Sequence, residues 1–150
     1  MTPKPRAVVF LDFDGVLHPK RAASSAEMFR GLRYLDDALC DVEDVGIVIT
    51  STWRNHPTDL AYATGRFPER LRRQILGTTP LLGGRRARED EICKWLDSAS
   101  VTRAKALILD DEPDLFELLR DQLLVVDGEV GLTVNDVSAV RSALIGCQQS

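Results

Sequence analysis

The sequence predicts an α/β domain in which a central, mainly parallel sheet lies between two helical layers. Three observations carry that expectation. Short apolar runs alternate with segments of helical period, the pattern of parallel strands joined by crossover helices. Three of these runs end in polar clusters, Asp12 and Asp14, then Thr50 and Ser51, then Asp110 and Asp111, as strands do where their carboxyl ends form a ligand-binding edge. The length, 150 residues, suits one domain that buries a continuous core without disulfide or metal staples.

The first strand is expected from Ala7 to Phe13, where Val8-Val9-Phe10-Leu11 runs into Asp12-Phe13-Asp14-Gly15. Alternation along a strand points Asp12 and Asp14 to one face and Phe13 to the other, and Gly15 permits the turn that follows. Ser24 and Glu27 have capping-box spacing, and Met28, Leu32, Leu35 and Leu39 follow at helical intervals, which predicts a helix. Val45 to Thr50 is a short β-branched strand leading into Ser51-Thr52-Trp53-Arg54. Between Asn55 and Gly84 the sequence predicts one helix, about Pro68 to Leu76, then a loop through Thr78-Thr79-Pro80 to Gly83-Gly84. Glu89 to Leu96 is expected to be helical with Ile92, Trp95 and Leu96 inward, and Ala104 to Leu109 is a buried strand ending in Asp110-Asp111. A helix from about Pro113 to Gln122, a strand Leu123 to Val126, an Asp127-Gly128 turn and a last helix carrying Val137, Val140 and Leu144 complete the order.

Composition narrows the function. The chain is 44% hydrophobic and 28% charged, and no apolar run approaches the roughly 18 residues of a membrane span. Lys4 and Arg6 precede an apolar stretch, but Asp12 and Asp14 interrupt it too early for a signal peptide, so a cytoplasmic protein with no membrane partner is expected. Cys40, Cys93 and Cys147 are odd in number and lack CxxC or Cys/His spacing, which argues against a disulfide framework and a zinc site. The net charge of −4 does not advertise nucleic-acid binding. One stretch departs from that balance: Arg66, Arg70, Arg72, Arg73, Arg85, Arg86, Arg88 and Lys94 face only Glu69, Glu89, Asp90 and Glu91. It reads as a solvated face or as a contact for nucleic acid or another polyanion, which salt dependence separates.

In a parallel sheet the three polar strand ends share one edge. Acidic clusters on neighbouring strands make an oxygen-rich site for a hard cation such as Mg²⁺, which binds carboxylates and water beside substrate phosphates. A DxDG also opens calcium loops, but an EF-hand needs glycine at the sixth position, where this chain has Leu17. Metal-dependent glycosyl transfer, which also uses a DxD, fits poorly with so short a chain and so early a motif.

The order of these clusters resembles the haloacid dehalogenase (HAD) superfamily, whose motifs are a DxD on the first strand, a Thr/Ser after the second, a distant Lys/Arg and a late acidic pair. The combination of DFDGVLH, ITSTWR, a basic residue before EICKWL, ILDDEPD and VVDGEVGLT is similar to small phosphatase-like domains associated with RNA-repair proteins. The resemblance implies a Rossmann-like three-layer sandwich and a Mg²⁺-dependent phosphatase. Asp12 would be the nucleophile that forms an aspartyl-phosphate. Asp14 would be the acid/base, its proton affinity raised for that task, with its main-chain carbonyl a Mg²⁺ ligand. Thr50 or Ser51 would bind a phosphoryl oxygen, Arg88 would be the basic motif with Arg85, Arg86 and Lys94 as competitors, and Asp110 and Asp111 would join Asp12 at the metal. Only short segments follow Gly15 and Arg54, too short for a large cap. Family members without a cap act on large phosphorylated substrates, which implies a phosphorylated nucleic-acid end, a protein or a nucleotide as partner.

Several residues keep two readings. Thr50 and Ser51 also suit a strand end or a helix cap, and Asp110-Asp111-Glu112-Pro113 suits a helix entry. Trp53 reads as packing, Arg54 as reaching either the phosphate or a neighbouring carboxylate, and His18 as a loop residue; His56 has less context still. The alternatives to hydrolysis are a phosphate-binding or signalling module without turnover, and an RNA- or protein-recognition module with a vestigial pocket.

Overall fold

The computed structural model describes residues 4–22, 24–84 and 87–150. In chain order its regular elements are β1 (Ala7–Leu11), α1 (Leu32–Leu39), β2 (Val45–Ile49), α2 (Pro57–Gly65), α3 (Glu69–Gln74), β3 (Ile75–Thr78), α4 (Ala87–Ala99), β4 (Ala106–Asp110), β5 (Leu123–Val125) and α5 (Val137–Gln148). The strands form one parallel sheet in the order β3-β2-β1-β4-β5. β1, β2 and β4 are buried along their whole length, which is why they read as unbroken apolar runs.

The pleat of β1 sorts its side chains between two layers. Ala7, Val9 and Leu11 pack with Leu32, Leu35 and Leu39 of α1, Val140 and Leu144 of α5, Ala63 of α2 and Leu71 of α3. Val8 and Phe10 pack with Ile92 and Leu96 of α4 and with Phe116 and Leu119. Phe10 is fully buried, and the Trp95 ring meets it edge-on at 5.5 Å. The layers make the expected three-layer Rossmann-like sandwich, and no large cap is present among the described residues.

The topology also creates the site. The connection from β1 to β2 carries α1 on one face, whereas the connection into β4 carries α4 on the other, so chain direction over the sheet reverses between β1 and β4. A crevice opens at the carboxyl ends of strands at such a point. Leu11 lies opposite Leu109 and Ile49, which puts Asp12, Asp110 and Thr50 side by side on that edge.

Several elements differ from the sequence expectation. β1 ends at Leu11, so Asp14 lies beyond the strand rather than on the same pleat as Asp12. Residues 24–31 form turns and the helix begins only at Leu32; Phe29 takes a left-handed φ of 60° and buries its ring against Phe13, His18 and Trp53. The segment after Asn55 holds an additional helix, α2, and α3 passes directly into the edge strand β3 instead of continuing to Leu76. The stretch expected as a helix from Pro113 to Gln122 is two 3₁₀ turns, Pro113–Leu115 and Arg120–Gln122, joined by a bend and a turn. The reason is Glu89, whose Oε2 accepts the backbone N–H of Glu117 at 2.7 Å and of Leu119 at 3.0 Å, two donors a helix would have used internally.

Candidate active site

Asp12 follows directly from β1, held there by its N–H donating to the Leu109 carbonyl at 3.3 Å. Its side chain is buried, with Oδ1 accepting the Phe13 N–H at 2.9 Å. Arg88, in the first turn of α4, places Nη1 at 3.2 Å from Asp12 Oδ2 and 2.9 Å from Asp110 Oδ2. Asp110 is fully buried at the end of β4, its Oδ1 accepting the Glu112 N–H at 3.0 Å. Asp12, Asp110 and Asp111 each present a carboxylate oxygen, all within 4.8 Å of one another. Three converging hard oxygen donors on a rigid edge fit a divalent cation such as Mg²⁺.

Asp111 is wedged between backbone segments. A Cβ on Gly15, whose φ is +83°, or on Gly128 would collide with its carboxylate. Lys20 Nζ stands 3.9 Å from Asp111 and 2.8 Å from Glu112.

Crowding of acids sets the electrostatics. Burial pushes the Asp12 carboxyl up to about 7; Arg88 opposes that shift, and the neighbouring Asp110 and Asp111 add to it. Asp111 is likewise raised, first by burial and then by Asp110. For Arg88, burial alone would lower the pKa, but Asp12 and Asp110 outweigh it and keep the guanidinium charged.

Asp14 lies apart from this cluster. Its Oδ1 is 2.7 Å from His18 Nε2, and Trp53 Nε1 donates to both carboxylate oxygens at 3.3 Å. The His18 hydrogen bond, with help from Trp53 and against the cost of burial, holds the Asp14 carboxyl below its ordinary value. That corrects the expectation of a raised proton affinity at Asp14. Phe13, Phe29, Trp53 and His18 form an aromatic nest around it, with four ring pairs edge-to-face and His18–Trp53 tilted, their centroids 5.1–6.1 Å apart.

Thr50 is buried opposite Asp12, with its N–H donating to the Leu11 carbonyl at 2.9 Å. The Ser51 hydroxyl accepts the Trp53 N–H at 3.2 Å and caps the 3₁₀ turn Thr52–Asn55. Arg54 takes the carboxylate of its two readings. Nη2 pairs with Glu91 of α4 at 2.8 Å, while Nε and Nη1 donate to the carbonyls of Thr79 and Ser51 at 3.1 and 2.9 Å. This nearly buried guanidinium ties the loop after β2 to α4, and so to Arg88.

A family model described as the HAD domain in Swiss Army Knife RNA repair proteins matches residues 8–137. The chain belongs to this family. No curated protein and no solved structure matches it. The HAD domain so identified is of phosphatase-like type, and its matched span covers every site residue named above.

Of the basic residues considered for this HAD site, Arg88 reaches the acids and Lys94 is exposed further along α4, while Arg85 and Arg86 lie outside the described residues. Other arginines of the basic stretch are engaged within the fold: Arg70 pairs with Asp36, Arg73 with Glu69 at 2.8 Å, and Arg72 donates to the carbonyls of Thr64, Gly65 and Phe67. Sequence reasoning missed the part played by His18 and Trp53 at Asp14. The available signal was the spacing of Asp14 and His18, four residues apart across a tight glycine turn.

Proposed function

We propose that this HAD domain is a Mg²⁺-dependent phosphomonoesterase working through an aspartyl-phosphate. The observation that carries the reading is Asp12 on the switch-point edge, bridged by Arg88 to Asp110 and flanked by Asp111 and Thr50. Asp12, Asp110 and Asp111 would hold the cation, with the Asp14 carbonyl as a further ligand. When bound, it would keep Asp12 ionised against the burial that otherwise raises its pKa and would neutralise phosphate charge.

Asp12 attacks phosphorus, forming an Asp12–phosphorus bond while the bond to the leaving oxygen breaks and its electron pair stays with that oxygen. Asp14 protonates the leaving oxygen, then takes a proton from the water that displaces Asp12. In the free protein Asp14 binds a proton weakly; the negative charge of an arriving phosphate raises that affinity. Thr50 donates to a phosphoryl oxygen, and Arg88 offsets charge on the transferring group. Ser51 lies beside Thr50 and shapes the turn that holds it.

The substrate we infer is a phosphorylated nucleic-acid end, with a nucleotide next. The support is the family's association with RNA repair proteins and the lack of a large cap among the described residues. A cytoplasmic setting is consistent with this, and no described helix is long and apolar enough to cross a membrane. The test is hydrolysis of an aryl phosphate with and without Mg²⁺, followed by a screen of 5′- and 3′-phosphorylated oligonucleotides, nucleotides, sugar phosphates and phosphopeptides. Metal-dependent release by wild type and none by Asp12→Asn supports the reading; equal release by both overturns it.

A further inference from the structure

We propose that His18 is a positioning residue for Asp14, locked as the Nε2–H tautomer so that Asp14 keeps Oδ2 for the proton exchanged with substrate. The proposal rests on the acid/base role given to Asp14 above. His18 is almost completely buried, unusual for a residue beside a turn. Its two nitrogens have different partners. Nδ1 accepts the Phe29 N–H at 3.4 Å, so it carries no proton, and the remaining N–H must lie on Nε2, 2.7 Å from Asp14 Oδ1.

The surroundings fix this arrangement from several sides. Phe29 adopts its left-handed φ of 60° where its amide meets His18 Nδ1, and its ring meets the imidazole edge-on at 5.1 Å. The His18 carbonyl accepts the Gly15 N–H at 2.9 Å, closing the turn between Asp14 and His18. Val16 and Leu17 carbonyls accept the N–H groups of Leu132 and Gly31, each at 2.7 Å, so the turn is anchored to two distant segments. Trp53 Nε1, equidistant from both Asp14 oxygens at 3.3 Å, sets the plane of the carboxylate.

The short bond from His18 occupies Oδ1 and leaves Oδ2 with the longer Trp53 contact alone, on a side chain that remains 43% exposed. When Asp14 is protonated, the proton therefore sits on Oδ2. It passes to the leaving oxygen as the phosphorus–oxygen bond breaks with its electron pair on that oxygen. In the second half, Oδ2 takes a proton from the attacking water as the pair of the Asp12–phosphorus bond returns to Asp12.

The test compares kcat/KM for alkyl and aryl phosphates, since this ratio reports the steps up to departure of the alcohol and only a poor leaving group needs the proton. His18→Asn, whose shorter amide cannot reach Oδ1, should lose at least about tenfold more on the alkyl ester than on the aryl ester. His18→Gln, whose amide nitrogen can take the place of Nε2, should recover most of that difference. Equal losses on both esters, or a failure of Gln to rescue, overturn the proposal. Independently of turnover, nitrogen–proton correlation spectra of wild type should show His18 protonated on Nε2 alone, with His56→Gln removing the other histidine for assignment. A proton on Nδ1, alone or with Nε2, overturns the clamp even if the enzyme is active. Absence of turnover on every phosphate, with the Nε2–H spectrum intact, would instead defeat the hydrolase reading and the proton step with it.

Discussion

Asp12 belongs to an acidic crevice between β1 and β4, where three carboxylates converge and Arg88 pairs with two of them, whereas Asp14, two residues on, belongs to an aromatic nest with two N–H donors. In the crevice, burial raises proton affinity; in the nest, hydrogen bonding lowers it. The contrast teaches that the DxD spacing delivers two different environments because the strand stops at Leu11. One acid stays at the sheet edge, and the turn sets the other against aromatic rings while leaving it within the electrostatic reach of Arg88.

The most direct way to break the comparison is Asp12→Asn, which leaves the nest intact and should cost at least about 10³-fold in aryl phosphate hydrolysis. Arg88→Ala removes the positive partner of two buried acids and should destabilise the metal-free protein by about 3 kcal/mol in denaturant melts above pH 7. That loss should shrink towards pH 5, where Asp12 is protonated.

Metal sharpens the comparison next. Because the Asp12 carboxyl is raised from 3.8 to about 7, the folded state retains a proton that the unfolded chain has released. Metal-free stability should therefore fall as pH climbs through that window. Saturating Mg²⁺ should flatten the fall and stabilise the fold by about 2.7 kcal/mol at a hundredfold excess over Kd, read as a higher Tm; an identical Tm profile with Mg²⁺ and with chelator would place the cation elsewhere. For Asp14 the sign is opposite. Its contribution is present above the ordinary carboxylate pKa and is lost as pH falls through the lower folded value. Trp53→Phe keeps an aromatic side chain but removes the N–H, so carboxyl NMR titration should show Asp14 moving back towards its ordinary value. The part of the stability change that comes from half-exposed Asp14 should be below about 1 kcal/mol, with lost ring packing added to it at every pH.

The crevice was more legible in the sequence than the nest. Asp12, Thr50, Asp110 and Asp111 each end or follow an apolar strand, so strand periodicity and parallel topology were enough to bring them to one edge. The nest depends on tertiary choices without a periodic signature: a left-handed Phe29, a buried His18, and a tryptophan brought back by the turn that Arg54 ties to α4. The same cause explains the misread elements. Glu89 captures the backbone N–H groups of residues 117 and 119 from a distant helix, and β3 spans four residues directly abutting α3, too short for strand alternation to stand out. Ser24 and Glu27 do meet, at 3.4 Å, but on a turn whose continuation is taken over by Phe29.

The two glycines against Asp111 give the site a dimension that no ligand list records. Volume left open by Gly15 and Gly128 decides where that carboxylate rests, so the coordination sphere is shaped partly by missing atoms. A single methyl at Gly128 would displace Asp111 while leaving every donor in the sequence, a way to change which ionic radius the crevice accepts without deleting a ligand.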